Sequence, residues 1–291
     1  MVDGVLVVDK PSGPTSFQVV DRVRKATGAR KAGHTGTLDP LASGVLAICL
    51  GEATKVAQYL TAQDKAYDAV LTLGTATDSL DAQGQVTERA EVPPLSAAQV
   101  EAALGPLRAQ TEQVPPMVSA VKVQGQRLYE LARAGEVVER AARPVTVHAL
   151  TLLDQTATTL TLHVECSKGY FVRVLADSLA RALGTVGHLS SLRRTRVGAM
   201  GLDRAVTLEQ VEALGPKATE GRLLSLDEAL ASLPELSLTA AQAVKVGHGV
   251  PLEMPGLTAP GPYRLKGPSG ALLALAALER SKLKYLRVLR P

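Results

Sequence analysis

Residues 33–44, GHTGTLDPLASG, combine glycines, a proline and one acidic side chain in a way that suits a reactive loop. The glycines let the backbone adopt conformations that other residues avoid, and they let a ligand approach the chain closely. Pro40 fixes the backbone after Asp39 and restricts Asp39 to an extended conformation. A carboxylate held in this way can act as a nucleophile, a base or a metal ligand. A structural role, in which Asp39 bonds its own backbone in a turn, fits the spacing equally well.

Other kinds of catalytic loop find little support in this stretch. A phosphate-binding P-loop ends in Gly-Lys-Ser/Thr, which is absent here. Metal catalysis needs clustered ligands, yet the five histidines are scattered and His34 alone is near Asp39, so we predict no metal site. Ser43, His34 and Asp39 could form a triad, but the chain has no Gly-x-Ser-x-Gly elbow. A carbohydrate-active enzyme that uses Asp39 and Asp81 as paired carboxylates stays open.

Local signals predict the elements that hold this loop. Residues 5–8 form an apolar run that indicates a buried strand. Thr15 or Ser16 can cap a helix that runs to Thr27 and ends at Gly28. One face of this helix is expected to be buried, namely Phe17, Val20 and Val23.

Further elements follow along the chain. Predicted strands cover residues 67–73, 118–123, 145–153 and 160–166, the last two as a pair. Predicted helices cover residues 53–60, 96–104, 128–133 and 173–183. Strands and helices mix without a strict βαβ rhythm. We therefore predict an α+β fold rather than a doubly wound one.

The texture of the sequence changes after Leu233, where prolines punctuate short apolar runs. This change predicts two domains, residues 1–232 and a small β-rich domain of residues 233–291. The 291 residues carry a formal charge of +4 and an isoelectric point near 9.1, a balance that modestly favours a polyanionic partner such as nucleic acid.

The cysteines and the apolar runs indicate where in the cell the protein works. Cys49 and Cys166 form no metal-type pair, so we expect buried reduced thiols. The start of the chain lacks a signal-peptide profile, and no apolar run approaches the ~18 residues of a membrane span. We predict a soluble, cytoplasmic protein without membrane association.

Several motifs, in the same order over most of the chain, resemble those of the TruB family, the bacterial tRNA pseudouridine-55 synthases. The reactive loop is similar to the signature of that family, and DKPSGPTS at residues 9–16 resembles its N-terminal motif. SKGYFVR at residues 167–173 is similar to its last active-site block. Further matches lie at residues 50–55, 64–67 and 115–129. The C-terminal segment resembles a PUA-type RNA-binding module.

The resemblance implies an isomerase. Uracil at position 55 in the T-loop of tRNA would detach from its ribose, rotate and rejoin through carbon, with Asp39 as nucleophile or base. Whether this carboxylate attacks the sugar, attacks the base or removes a ribose proton stays open. Arg173 would pair with Asp39 and keep it ionised. Tyr67 would stack on the uracil after the nucleotide has left its helix.

The resemblance also implies a set of substrate contacts, which comprises His34, Tyr67, Phe171, Leu192, Lys10 and Asp81. Among these, Lys10 is expected to order the N-terminal motif, and Asp81 to support an arginine or the RNA. Many family members have tyrosine where this chain has Phe171, so a hydroxyl contact is lost there. Arg193, Arg194 and Arg196 could meet phosphates or form a solvated strand end.

The implied fold is that of pseudouridine synthases, a mixed and mainly antiparallel sheet flanked by helices, with a PUA-like C-terminal domain. The implied partner is the T-arm of tRNA, bound by a monomer without cofactor, metal or guide RNA. Two alternatives stay open. One is a related synthase that works within a guide-RNA complex, and the other is a non-enzymatic protein that binds or folds RNA at the tRNA elbow.

Overall fold

The computed structural model describes residues 2–289 and places the strands and helices as follows. The strands are β1 (Gly4–Lys10), β2 (Ala32–His34), β3 (Ser43–Leu50), β4 (Lys65–Leu73), β5 (Thr75–Thr77), β6 (Val86–Arg89), β7 (Glu112–Gln113), β8 (Lys122–Val123), β9 (Gln126–Arg127), β10 (Arg143–Pro144), β11 (Val147–Gln155), β12 (Thr159–Cys166), β13 (Gly187–Val197), β14 (Met200–Gly201), β15 (Val206–Thr207), β16 (Glu235–Ser237), β17 (Leu252–Glu253), β18 (Tyr263–Lys266), β19 (Leu272–Glu279) and β20 (Lys282–Val288). The helices are α1 (Ser16–Thr27), α2 (Ala57–Thr61), α3 (Ala97–Arg108), α4 (Leu128–Arg133), α5 (Val172–Ala182), α6 (Leu208–Glu220), α7 (Leu226–Ala229) and α8 (Ala240–Gly247).

The largest sheet has nine strands in the order β11-β12-β4-β13-β3-β1-β15, with β2 beside β3 and β14 beside β13. Strands β13 and β3 pair in parallel, as do β1 and β15, and the other pairs of this sheet are antiparallel. The prediction of an α+β protein with a mixed, mainly antiparallel sheet is confirmed. Strand β13 lies between β4 and β3, so it brings the chain after α5 back to the loop that precedes β3.

Both faces of the sheet are buried along β1. Successive side chains of a strand point to opposite faces, and β1 is apolar at each of its central positions. Leu6 and Val8 pack with the helices α1, α5 and α6, whereas Val5 and Val7 join a second cluster on the other face. Burial on both faces explains why this strand reads as a continuous apolar run rather than an alternating one.

Helix α1 begins and ends where its capping residues predict. Thr15 accepts a hydrogen bond from the backbone N–H of Gln18, and Gly28 closes the helix in the left-handed conformation at φ 67°. The predicted buried face is wrong at Phe17, which is 76% exposed, while Val20 and Val23 are buried as expected.

Three other elements differ from prediction. Residues 53–60 form the end of a 3-10 helix (Gly51–Val56) followed by α2. The helix expected to end at residue 104 continues to Arg108. The strand predicted over residues 118–123 is wrong except for the two residues of β8, since the preceding segment is irregular.

The C-terminal region folds as a five-stranded sheet in the order β16-β18-β19-β20-β17, as the β-rich composition predicts. Leu275 of β19 packs in the same apolar cluster as Leu224 and Leu230 of the preceding region. Asp227 accepts hydrogen bonds or ion contacts from Arg264 and Lys266. The two regions therefore share both apolar and charged contacts. None of the helices within residues 2–289 is long and apolar enough to cross a membrane.

Candidate active site

Asp39 lies in the loop between β2 and β3, next to the point where β13 pairs with the start of β3. Its backbone carbonyl accepts a hydrogen bond from the N–H of Ala42 at 3.0 Å, which makes the turn that the spacing allowed. The carboxylate does not take part in that turn, and its side chain is 38% exposed. The turn is thus closed by backbone groups rather than by the Asp39 side chain, and the carboxylate faces Arg173 instead.

Arg173, in the first turn of α5, faces this carboxylate. Its Nε lies 3.0 Å from Oδ2 of Asp39, and its own side chain is 5% exposed. The two terminal nitrogens donate to the backbone carbonyls of Ser79 and Val118, each at 2.8 Å. The guanidinium is therefore fixed on three sides, and it presents one nitrogen to Asp39 in a charge-assisted hydrogen bond.

Asp81 lies behind this pair. Its Oδ2 is 3.8 Å from Nε of Arg173, and its side chain is 6% exposed. Its Oδ1 accepts hydrogen bonds from the Ser79 hydroxyl at 2.7 Å and the Gln83 backbone N–H at 3.0 Å. The contact with Arg173 agrees with the predicted supporting role. Such burial argues against Asp81 as a direct RNA contact or as the second carboxylate of a carbohydrate-active pair.

Tyr67 and Leu192 form the apolar side of the site. They lie on the neighbouring strands β4 and β13 and belong to one buried cluster with Leu38, which precedes Asp39. Burial raises the pKa of the Tyr67 hydroxyl, while the positive charge of Arg194 opposes the shift. Tyr67 thus presents a neutral aromatic ring beside the reactive loop.

Two further predicted contacts, His34 and Phe171, lie at the end of β2 and at the N-cap of α5. Nδ1 of His34 accepts a hydrogen bond from the Gly36 N–H at 3.3 Å. Burial lowers the pKa of His34, and the charge of Arg194 lowers it further, so the imidazole is mainly neutral at pH 7. Phe171 is the N-cap residue of α5, with an extended backbone (φ −106°, ψ 106°) that lies outside the strands, and Tyr170 beside it is buried.

Lys10, at the end of β1, supports the loop that contains Asp39. Its side chain is fully buried, and Nζ donates to the carbonyls of Pro11, Pro40 and Ala42 at 2.9, 3.4 and 2.6 Å. Burial lowers its pKa to about 8, although the charge of Asp39 acts in the opposite direction. This geometry fits the ordering role that the sequence predicted, and it leaves Lys10 no surface for substrate contact.

Arg194, in β13, also supports the loop. The prediction that it meets phosphates or forms a solvated strand end is wrong. Arg194 is 2% exposed and donates to the carbonyls of Val45, Thr37 and Gly36 at 2.7, 3.3 and 3.1 Å. It is neither solvated nor directed at phosphates. The signal that could have revealed it is strand alternation, because Arg194 follows the buried Leu192 by two positions in β13.

The neighbouring arginines differ from it. Arg193 pairs with Asp9 at 2.8 Å and Arg196 pairs with Glu165 at 2.8 Å, and both side chains are more than one-third exposed. They remain accessible from solvent.

Ser16, considered from sequence only as a helix cap, and Gly44, one of the loop glycines, both shape the loop. The hydroxyl of Ser16 donates to the carbonyl of Leu38 at 2.9 Å and accepts from the N–H of Leu38 at 2.8 Å. Gly44 has φ 101°, and a Cβ there would lie 2.2 Å from the carbonyl oxygen of Arg194. Glycine is required at this position because β3 and β13 approach each other closely.

The site thus consists of one accessible carboxylate, a fixed guanidinium and an aromatic wall. Within residues 2–289, no group of three or more His, Cys, Asp or Glu side chains is placed to hold a metal ion. Cys49 and Cys166 are both buried free thiols, as predicted.

Comparison with known proteins gives matches along almost the whole chain. Residues 24–172 match the TruB family pseudouridylate synthase N-terminal domain, residues 173–233 the tRNA pseudouridylate synthase B C-terminal domain, and residues 233–290 the tRNA pseudouridine synthase II C-terminal domain. A protein of Aromatoleum aromaticum named tRNA pseudouridine synthase B is 49% identical over 88% of this chain and 82% of its own. One of the same name from Ralstonia nicotianae is 44% identical over 99% of this chain and 94% of its own.

Solved structures agree with this assignment at the level of the fold. A chain from the crystal structure of a Cbf5-Nop10-Gar1 complex is 26% identical, with a TM-score of 0.79 over 100% of this chain and 86% of its own. A chain from the archaeal box H/ACA sRNP Nop10-Cbf5 complex has a TM-score of 0.75 at 23% identity and covers 100% of this chain and 87% of its own. Together, the domain matches and the identities of 44% and 49% assign this chain to the TruB family of pseudouridylate synthases.

Proposed function

We propose that this chain isomerises the uridine at position 55 in the T-loop of tRNA to pseudouridine, with Asp39 as the catalytic carboxylate. The observation that carries the proposal is the contact between Asp39 and Arg173, in a member of a family whose relatives are named tRNA pseudouridine synthase B. The 3.0 Å distance places a fixed positive charge against the one exposed carboxylate of the site.

The reaction needs no external atom or electron. The bond between N1 of uracil and C1′ of ribose breaks, and a bond between C5 and C1′ forms. The hydrogen on C5 is lost and N1 gains one, so the product is an isomer of the substrate. Asp39 can serve by attacking the sugar, attacking the base or removing a ribose proton, and each of these routes uses the ionised carboxylate. We propose that the chain performs it without cofactor, metal or guide RNA.

The target base must leave its stack before Asp39 can reach it. Tyr67 and Leu192 supply an apolar wall for the extruded uracil, and Phe171 can close it from the start of α5. Stacking on an aromatic ring contributes about 1–3 kcal/mol per base, which offsets part of the unstacking cost. His34, half-buried and mainly neutral, is placed to contact the RNA beside the flipped nucleotide.

Electrostatics fit a tRNA partner. The formal charge of +4 favours association with phosphates, and the partly exposed Arg193 and Arg196 lie on β13 next to the site. We propose that a monomer in the cytoplasm binds the T-arm, with the C-terminal region as an additional RNA-binding surface.

The proposal is tested with the purified chain and an unmodified tRNA transcript, without guide RNA or added metal. Pseudouridine is mapped by chemical modification and primer extension. We expect product at position 55 alone, and none with Asp39→Asn, whose affinity for tRNA should stay within about tenfold of wild type, or 1.4 kcal/mol. Full activity of Asp39→Asn would remove Asp39 from the mechanism.

A guide-dependent reaction is the second candidate, because the fold is shared with chains from Cbf5-containing complexes. The same assay distinguishes the two. Product that forms only after a guide RNA and accessory proteins are added would favour the second candidate. Binding of tRNA without any product, with or without these additions, would favour an RNA-binding role instead.

A further inference from the structure

The helix that carries Arg173 begins without a cap of its own. Helices α1, α3 and α6 each start with Ser or Thr, and a glutamine three positions later accepts the N–H of that N-cap residue. In α5 the N-cap residue is Phe171 and the position three residues later is Val174. Neither side chain can form such bonds, so α5 lacks the capping box that sets where α1, α3 and α6 begin.

Gln113, from a distant part of the chain, supplies one of these bonds and adds a second to the same residue. Its Oε1 accepts the backbone N–H of Phe171 at 2.8 Å, and its Nε2 donates to the Phe171 carbonyl at 3.2 Å. The side-chain amide thus pairs with residue 171 much as a peptide group does in a sheet. Gln113 is 3% exposed, and the pairing of β7 with β10 holds its backbone.

The position of Phe171 determines that of Arg173, two residues later in the first turn of α5. Arg173 must reach Ser79, Val118 and Asp39 at once, at 2.8, 2.8 and 3.0 Å. Those distances leave little room for a shift of the helix start. A displacement of about 1 Å in a catalytic group can lower a rate about 100-fold.

We propose that Gln113 is a positioning residue for the isomerisation: its carboxamide fixes the backbone at Phe171 and so sets the guanidinium of Arg173 against Asp39. The inference rests on the proposed function. Gln113 acts through Phe171 and Arg173, and its own burial keeps it from touching the substrate.

Three substitutions separate hydrogen bonding from volume. Gln113→Met keeps the length of the side chain and removes both bonds. Gln113→Glu keeps the acceptor for the Phe171 N–H and loses the donor to its carbonyl. Gln113→Ala removes both bonds and the volume. Gln155→Ala is the matched control, because Gln155 also donates from its amide to a backbone carbonyl, that of Leu95 at 2.8 Å, away from the site.

Each variant is compared with wild type in single-turnover rate on tRNA, in tRNA dissociation constant and in urea unfolding. We expect Gln113→Met to lower the rate by about 10- to 100-fold, with a dissociation constant within about threefold of wild type. Gln113→Glu should retain an intermediate rate, and Gln155→Ala the full rate. Should Gln113→Ala fail to fold, the two variants of similar size decide the outcome.

A Gln113→Met rate equal to that of wild type would overturn the inference while leaving the proposed function intact. A loss of rate matched by an equal loss of tRNA affinity would also overturn it, since a positioning residue acts on the bound complex. Absence of product with wild type would refute the proposed function and this inference together.

Discussion

Replacing Arg173 by lysine keeps a positive charge in the site and removes the fork of nitrogens that the site uses. Arginine reaches Asp39 with Nε, Ser79 with Nη1 and Val118 with Nη2. Lysine carries a single nitrogen and cannot serve all of these acceptors. Because the carbonyls of Ser79 and Val118 otherwise lose their donors, we expect the ammonium to move towards them and away from Asp39.

The magnitude follows from the bonds that are lost. A hydrogen bond to a charged group contributes about 1.5–3 kcal/mol. If the contact with Asp39 acts mainly in the transition state, its loss corresponds to a rate about 10- to 150-fold lower, since each 1.36 kcal/mol is a factor of ten. A buried carbonyl left without a donor costs a further 1–3 kcal/mol or so of stability. The variant should therefore be both slower and less stable.

The assay uses tRNA labelled with tritium at C5 of uridine, because formation of the C5 to C1′ bond releases that hydrogen to water. Single-turnover rates are measured at saturating enzyme, and tRNA affinity is measured separately by filter binding. Arg22→Lys is the matched control, because Arg22 also bonds a carboxylate, that of Glu212, with its side chain partly exposed, and it should change the rate by less than about threefold. A folded Arg173→Lys variant with a rate near that of wild type would refute the reasoning, because it would show that charge alone suffices.

Two further predictions address the supports of the site. Gly44→Ala should destabilise the protein by about 3 kcal/mol and lower the rate, because the new Cβ would lie 2.2 Å from the Arg194 carbonyl oxygen. Gly28 also has a positive φ, but a Cβ there would have nothing within 4 Å. Gly28→Ala should therefore cost about 1–2 kcal/mol of stability and leave the rate unchanged. Equal effects of the two substitutions in urea unfolding would contradict this view of the β3 and β13 contact. Burial raises the pKa of the Cys49 thiol to about 12. Above the ordinary thiol pKa of 9.0, the unfolded chain therefore releases this proton while the folded chain keeps it. The free energy of unfolding falls as the pH rises above that value. In Cys49→Ala, the fall in unfolding free energy between about pH 8 and 10 should be smaller by about 1–2 kcal/mol, and an unchanged fall would contradict the raised pKa.

Local signals in the sequence predicted the elements well where capping residues and alternation act on short stretches. Thr15 and Gly28 bound α1, and β12 alternates buried and half-buried side chains as a strand with one buried face requires. Phe17 was misplaced because it shares helical spacing with Val20, yet the buried face runs through Ser16, Val19 and Val23, and Ser16 also bonds to Leu38. That bond joins parts of the chain that no local pattern relates.

The segment before β8 shows a second limit. Its apolar residues have strand propensity, but a strand also needs a partner to satisfy its backbone. Here the carbonyl of Val118 accepts from Arg173 and that of Ser119 accepts from the N–H of Tyr129. Side chains and helix starts take up these groups, so no extended strand forms.

The candidate site could be predicted only in part. Asp39 stands out because glycines and Pro40 surround it, whereas the partnership with Arg173 came from family resemblance and not from spacing. Arg194 and Gln113 could not be assigned, since each acts on backbone far away in the sequence. Strand alternation could indicate that Arg194 is buried, but it does not show which distant backbone groups such a side chain bonds.

The central place of β13 in the main sheet affects when the Asp39 loop can be completed as the chain is synthesised. The ribosome delivers the Asp39 loop early, but the arginine that bonds to Gly36, Thr37 and Val45 arrives only with β13. A nascent chain whose Arg194 is still in the exit tunnel therefore lacks these three bonds to the segment around the Asp39 loop, but can form those from Lys10 and Ser16. The loop can reach the geometry of the folded chain only after β13 has been synthesised and has paired with β4 and β3.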